Sequence, residues 1–179
     1  MNWPNRLSII RVCCIPVITA LLYSSAPWCS WASLILFAFA CLTDFLDGHL
    51  ARKNNWVTDF GKFIDPVADK LLVLSTLIML VQIGLVPAWL VILILARELS
   101  VDGLRLVAMT KGKVIAAGPL GKIKTFSQMI LIFLLLLFRL PLFSLWPGIV
   151  GGIWVAAITL YSGIDYFRKN ASLFSSFST

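Results

Sequence analysis

Four regularly spaced aspartates are the residues of this sequence best suited to chemistry. Asp44 and Asp47 are three residues apart, and Asp65 and Asp69 are four apart. On a helix, either spacing places both carboxylates on one face. Carboxylate oxygens are the ligands that hard cations such as Mg²⁺ and Mn²⁺ prefer. Four carboxylates are enough to hold two ions roughly 3.5–4 Å apart, a spacing common at phosphoryl-transfer sites.

The setting of these acids strengthens that interpretation. Five of the eight acidic residues of the chain fall between positions 44 and 69, and long apolar runs lie on both sides. If two helices joined by a short turn bring the pairs together, bare carboxylates would repel one another and lose hydration. Bound cations remove both costs. The alternative is that the acids are interfacial residues paired with nearby lysines and arginines, and we favour it for Asp59 alone.

The composition indicates which elements position these residues. Of 179 residues, 60% are hydrophobic and 13% are charged, and the mean hydropathy is +0.94. Soluble domains are about one quarter charged. We therefore predict an all-α integral membrane protein, a single domain over residues 1–179 in which six transmembrane helices form a bundle with a cytoplasm-facing polar cavity. The apolar runs place the helices at about 7–24, 31–52, 59–82, 87–110, 118–138 and 146–167.

The positive charges predict the orientation of the bundle. Twelve lysines and arginines fall in the two terminal segments and around the second-to-third and fourth-to-fifth junctions, whereas the three opposite loops contain one, Arg139. By the positive-inside rule, both termini and the acidic cluster face the cytoplasm, as expected of a multi-pass protein of the cell membrane. The net charge of +7 is explained by this orientation and by anionic phosphate ligands, so no nucleic-acid partner is expected.

The aspartates belong to a longer pattern, D-x-x-D-G-x-x-A-R-x8-G-x-x-x-D-x-x-x-D. It is filled here without departure, at Asp44, Asp47, Gly48, Ala51, Arg52, Gly61, Asp65 and Asp69. This pattern resembles the signature of the CDP-alcohol phosphotransferases, and the similarity extends over nearly the whole chain. The resemblance implies transfer of a substituted phosphate from a CDP-linked donor to an alcohol, with release of CMP. It also implies a homodimer embedded in membrane lipids.

The resemblance assigns roles to individual residues. Asp44, Asp47, Asp65 and Asp69 would bind Mg²⁺ or Mn²⁺, expected as two ions, and Asp69 would also be the general base. Around the CDP donor we expect Asn5, Thr43, Gly48, Arg52 and Gly61. The two glycines allow close approach of a backbone or a ligand, and Arg52 is suited to grip a phosphate.

Other segments bear on the acceptor alcohol. "NWPNRLSIIR", "ARELSVDGLR", "GKIKT" and "SGIDYF" resemble a subgroup of that family whose donor is CDP-diacylglycerol and whose acceptor is sn-glycerol 3-phosphate. Convergent cations near the bilayer also favour an anionic acceptor. The predicted glycerol-phosphate residues are Arg97, Arg105, Lys122, Lys124 and Tyr166. Alternatively, the basic residues anchor lipid headgroups or set orientation, and Tyr166 belongs to an interfacial aromatic belt.

Two other functions remain open at this stage. Members of the family that make cardiolipin, phosphatidylinositol phosphate or phosphatidylserine share the acidic motif, so only the acceptor pocket separates them. A small cation transporter would also place carboxylates in the membrane. A transporter predicts acids near the bilayer midplane, however, whereas these acids lie near predicted helix ends, beside a basic loop.

Overall fold

The structure is a computed structural model of the chain. It describes the backbone of residues 3–53, 59–110, 112, 115, 118–139 and 146–171. Within those ranges, the side chains of residues 3–6, 45–53, 59–60, 62–63, 138 and 146–147 are not described.

Six α-helices and no β-strand occur in the described parts of the chain. They are α1 (Trp3–Tyr23), α2 (Pro27–Lys53), α3 (Asp59–Gln82), α4 (Ala88–Thr110), α5 (Pro119–Phe138) and α6 (Trp146–Lys169). The all-α prediction is confirmed. The predicted bounds agree within four residues at every end, and the largest differences are at the starts of α1 and α2. The second helix begins at Pro27 because proline is well suited to the first helical position.

The turn between α3 and α4 shows why the chain reverses there. Gly84 has φ +78°, a conformation that residues with a Cβ rarely adopt. The N–H of Leu85 donates to the carbonyl of Leu80 at 2.9 Å, which satisfies a carbonyl left open at the end of α3. The C-terminal ends of α1 and α5 are joined by a hydrogen bond: Nη2 of Arg139 donates to the carbonyl of Ser24 at 2.6 Å.

The helices pack around a main apolar core, and α4 and α6 form a second, smaller apolar cluster. α1 packs mainly on α3 and α2, α5 packs on α6 and α2, and α4 packs on α6. The side chains that are fully or almost fully buried in this core include Ile18, Phe37, Leu77, Ile94 and Leu131. α1 therefore lies against both helices that carry the acidic motif.

The outside of the bundle is as apolar as its core. Large side chains such as Trp28, Ile35, Ile92 and Phe126 are more than half exposed on the helix surfaces. Exposed apolar surface on this scale is typical of helices that face lipid. In the part of the chain that the structure describes, the helical segments long and apolar enough to cross a membrane are Pro27–Asp44, Pro119–Leu137 and Gly148–Lys169. The chain is a membrane protein, and α3 and α4 carry many of its ionisable residues to one polar site.

Candidate active site

A cavity of about 590 Å³ opens between five of the six helices. Among the described residues, its walls come from the second halves of α2 and α6, the middle and second half of α4, and mainly the first halves of α3 and α5. Of the side chains that the structure describes, four acidic and four basic ones line it: Asp44, Asp69, Glu98 and Asp165, with Lys70, Arg97, Arg105 and Lys122. Acids predicted to bind metal and bases predicted to bind phosphate thus share one space.

Helix α1 contacts the acids of both motif helices. Arg11, which is 1% exposed, places Nη1 2.7 Å from Oδ1 of Asp44. One turn earlier on the same face, the Ser8 hydroxyl donates to Oδ1 of Asp65. The sequence predicts no role for Arg11 beyond that of an orientation charge. Its buried guanidinium instead compensates Asp44, and α1 fixes the positions of one carboxylate on α2 and one on α3.

We predict that Arg11→Met destabilises the protein through Asp44. Breaking a buried charged pair typically costs about 3–5 kcal/mol, and because the Asp44 side chain is 35% exposed we expect a loss of about 2–3 kcal/mol. The melting temperature of the detergent-purified protein in EDTA measures this loss. Asp44→Asn in the same background should restore part of it, because the uncompensated charge is then gone.

The exposed pair between Lys169 and Asp165 provides the control for this experiment. Its atoms are 2.8 Å apart, close to the Arg11–Asp44 distance, but the Lys169 side chain is 66% exposed. Lys169→Met should therefore cost at most about 1 kcal/mol. Equal losses in the two variants would show that the Arg11–Asp44 contact has no special structural role.

Asp69 lines the same cavity as Asp44. Its Oδ1 is buried and has no hydrogen-bond partner among the described residues. A buried carboxylate oxygen left in that state costs free energy. This cost indicates that a ligand, a cation or a proton completes the site in the working protein.

The donor set fits a hard divalent cation. Asp44 and Asp69 line the same cavity, Asp69 has an unsatisfied oxygen, and all the predicted ligand atoms are carboxylate oxygens. Among the described side chains, no three acidic, histidine or cysteine residues form a ready-made metal cluster. Asp47 lies outside the described side chains, and the Asp65 carboxylate accepts the Ser8 hydroxyl.

The basic side of the cavity is organised by α4 and α6. Nε of Arg105 donates to the hydroxyl of Tyr166 at 3.0 Å, and its guanidinium carbon lies 5.5 Å from the centre of that ring. Tyr166 is buried. Arg105 is thus held at the cavity wall by a second residue that the sequence predicts for the acceptor site.

Arg97 reaches the cavity between two glycines. A Cβ at Gly163 would lie 3.3 Å from its Cγ, and a Cβ at Gly121 would lie 3.7 Å from its Nη2. Nε of Arg97 is buried and has no hydrogen-bond partner among the described residues. Lys122 is exposed at the cavity rim. Together with Arg105, these side chains offer donors to an anion.

Lys124 is placed differently from the other predicted phosphate ligands. It is 1% exposed and pairs with Glu98, whose other oxygen lies 3.8 Å from Nη1 of Arg97. Lys70 on α3 pairs with Asp102 on α4, and its Nζ lies 3.9 Å from Oε2 of Glu98. The sequence does not identify a partner for Glu98, because side chains from three helices meet there and only the packing decides between them.

The predicted donor-site residues are only partly described. Thr43 is buried, and its hydroxyl donates to the carbonyl of Ala40 at 2.9 Å. Gly61 is buried in the first half of α3. Asn5, Gly48 and Arg52 belong to α1 and α2 by their backbone but lie outside the described side chains.

Several residues at the site were missed by sequence reasoning. Ser8 and Arg11 stand three apart, in the segment that resembles the family's N-terminal pattern, and this was the signal that could have identified them. Asp165 lies in the "SGIDYF" segment and lines the cavity. Lys70 and Asp102 form an ion pair between α3 and α4, and neither has a distinctive spacing in the sequence.

Comparison with known proteins adds independent evidence. The family model described as CDP-alcohol phosphatidyltransferase matches residues 1–160. A CDP-diacylglycerol–glycerol-3-phosphate 3-phosphatidyltransferase from Bacillus subtilis is 46% identical over 94% of this chain and 95% of its own length. The enzyme of that name from Rickettsia bellii is 43% identical, with 93% and 94% covered. A probable phosphatidylglycerophosphate synthase from Mycobacterium tuberculosis H37Rv is 43% identical, with 94% and 81% covered.

Proposed function

Because the chain belongs to the CDP-alcohol phosphatidyltransferase family, we propose that it transfers the phosphatidyl group of CDP-diacylglycerol to sn-glycerol 3-phosphate. The products are phosphatidylglycerophosphate and CMP. The relatives named above, which align over almost the whole chain, support this reaction. The structural observation that carries the proposal is the single cavity in which Asp44 and Asp69 face Arg97 and Arg105.

The acidic side of the cavity is the proposed donor side. Dependence on divalent metal is general in the family, and Asp44, Asp47, Asp65 and Asp69 would hold the ions. Bound there, Mg²⁺ or Mn²⁺ would offset negative charge on the pyrophosphate and on the leaving CMP. Arg11 and Ser8 keep Asp44 and Asp65 in place from α1. Asn5, Thr43, Gly48, Arg52 and Gly61 complete the proposed donor site.

The basic side of the cavity is the proposed site for the acceptor's phosphate. Arg97, Arg105 and Lys122 supply its positive charge, and Tyr166 orients Arg105. Gly118, the residue before α5, lies at this wall, and no described side chain caps the first turn of the helix, so the positive end of its dipole also favours an anion. Lys124 compensates Glu98, which leaves the charge of Arg97 available to the ligand.

The proposed chemistry needs one proton acceptor. A glycerol hydroxyl oxygen attacks the phosphorus that carries the diacylglycerol, and the bond from that phosphorus to the CMP oxygen breaks. CMP leaves with the electron pair, and Asp69 takes the hydroxyl proton. The Oδ1 of Asp69 is buried and has no hydrogen-bond partner among the described residues, which supports its role as the proton acceptor.

A membrane location suits these substrates. We propose that all six helices span the cell membrane and that the cavity and both termini face the cytoplasm. The acyl chains of the donor then remain in lipid while its headgroup enters the cavity, and the soluble acceptor arrives from water. The homodimer implied by the family resemblance is tested by light scattering of the purified protein in detergent.

An acceptor panel tests the proposed function directly. Purified protein is supplied with CDP-diacylglycerol, Mg²⁺ and one radiolabelled alcohol at a time: glycerol 3-phosphate, phosphatidylglycerol, inositol phosphate or serine. We expect a new labelled lipid product from glycerol 3-phosphate alone. If label from another alcohol entered a new product, the chain would belong to a different branch of the family. If no alcohol caused release of CMP, the proposed transferase activity would be wrong and the cation-transporter hypothesis would be favoured.

Replacing Arg105 should separate the two substrates. We predict that Arg105→Ala raises the KM for glycerol 3-phosphate roughly 10- to 100-fold, because one charge-assisted contact to phosphate is lost. The KM for CDP-diacylglycerol should change less than about threefold. Arg168→Ala is the matched control, because Arg168 is exposed and does not line this cavity. Equal changes in the two KM values would contradict the acceptor assignment.

A further inference from the structure

A second, smaller cavity adjoins the large one. It encloses about 100 Å³ and shares four lining residues with the large cavity, namely Asp69, Lys70, Glu98 and Thr125. Its remaining walls are apolar except for Gln128. The two cavities therefore adjoin at these four residues, and the smaller one extends towards the middle of α5.

Two polar atoms at this small cavity lack partners among the described residues. One is Oδ1 of Asp69, a hydrogen-bond acceptor, and the other is Nε2 of Gln128, a donor. Gln128 is 2% exposed. The other polar groups here are already engaged, since Thr125 donates to the carbonyl of Gly121 at 3.2 Å and Glu98 pairs with Lys124. An unsatisfied donor and an unsatisfied acceptor on residues that line one small cavity match hydroxyl groups, which both donate and accept.

We propose that this small cavity receives the hydroxyl end of the acceptor. Gln128 then hydrogen-bonds to the hydroxyl group next to the one that reacts. Asp69 receives the reacting hydroxyl, and the amide of Gln128 donates to its neighbour on the adjacent carbon. The space of about 100 Å³ exceeds that of a single water, which takes about 30 Å³, and accommodates a two-carbon diol. Gln128 is then a specificity-determining residue that selects a vicinal diol.

This inference rests on the proposed function, so its test uses two phosphorylated acceptors. 3-Hydroxypropyl phosphate has the chain length, phosphate and terminal hydroxyl of glycerol 3-phosphate but lacks the middle hydroxyl. For the wild-type protein, we expect kcat/KM to favour glycerol 3-phosphate by about 10- to 100-fold, because the analogue leaves the buried amide unpaired.

The variant Gln128→Met keeps the length of the side chain and removes the donor. We expect it to reduce that preference to within about threefold, by lowering kcat/KM for glycerol 3-phosphate and leaving the value for 3-hydroxypropyl phosphate nearly unchanged. A ratio of two acceptors on one preparation does not depend on the folded fraction, so a loss of stability alone cannot produce this result.

Thr159→Val is the matched control for Gln128→Met. Thr159 is fully buried and its Oγ1 also lacks a partner among the described residues, but it lines neither of these two cavities. Thr159→Val should keep the wild-type preference for glycerol 3-phosphate. If this variant also lost the preference, altered packing in general would be the cause, and the assignment of Gln128 would be overturned.

Two results would overturn the proposal without touching the proposed function. The first is a Gln128→Met protein that loses activity equally with both acceptors, as a cavity holding only structural water predicts. The second is a wild-type protein that shows no preference between the acceptors, and this measurement stands even if the variant does not fold. If neither phosphate acceptor is used by the wild type, the proposed function itself fails.

Discussion

Asp69→Asn is expected to lower kcat by about 1,000-fold or more. Loss of a general base alone typically lowers the rate by about 10²–10⁴-fold, and the variant also loses a proposed metal ligand. The amide is nearly the same size as the carboxylate but cannot take the hydroxyl proton. Release of CMP from CDP-diacylglycerol and glycerol 3-phosphate in detergent micelles measures the effect. Turnover at the wild-type rate would exclude Asp69 as the base.

The stability of the same variant separates a chemical effect from misfolding. Oδ1 of Asp69 is buried and unsatisfied in the described structure, so removing its charge should leave the melting temperature in EDTA unchanged or raised. Asp102→Asn is a suitable control, because Asp102 pairs with Lys70 between α3 and α4 and does not line the large cavity. It should keep activity within several-fold of wild type.

Removal of divalent cations is expected to abolish activity completely and reversibly. Arg11 balances Asp44, and divalent cations would offset the charge of the other carboxylates and of the pyrophosphate. Treatment with EDTA should stop CMP release, and Mg²⁺ or Mn²⁺ added in excess should restore it. EDTA already saturated with Mg²⁺ serves as the control. Full turnover in free EDTA would contradict the metal assignment.

Cation binding also has a readout that does not involve catalysis. A ligand present at about 100 times its Kd stabilises the folded state by about 2.7 kcal/mol, so Mg²⁺ should raise the melting temperature of the wild-type protein. The increase should be much smaller for Asp69→Asn, because one proposed ligand is gone. An equal increase in both proteins would place the cation elsewhere.

The helices of this protein were largely predictable from its sequence. Long apolar runs have few alternatives in lipid, where a helix satisfies its own backbone, and α3 begins and ends where the pattern predicts. The start of α2 is four residues earlier than predicted. "APW" is typical of a break, yet Pro27 is a suitable first residue of a helix.

The site divides into a part that the pattern predicted and a part that only packing reveals. The spacing of Asp44 and Asp69 within one motif indicated that both serve one site, and both line the large cavity. The partner of Asp44 comes from α1, 33 positions earlier in the sequence. No local rule pairs residues that far apart, because the contact depends on how α1 crosses α2 and α3.

The same limit applies to Gln128. A polar residue in a strongly apolar helix signals a function or a packing requirement, but its sequence neighbours do not distinguish the two. Gln128 is a candidate for a function because it lines the same cavity as Asp69, which is on another helix. The residues proposed for the acceptor are spread over α4, α5 and α6, so no single spacing in the sequence joins them.

The buried Arg11 constrains the order in which this protein can be built. During synthesis, α1 is made before Asp44, and a lone arginine in hydrocarbon is costly. The first helix therefore gains its full stability in the bilayer only when α2 arrives beside it. We expect the two to insert as a hairpin, so that the earliest assembly step of the chain already sets half of the acidic motif in place.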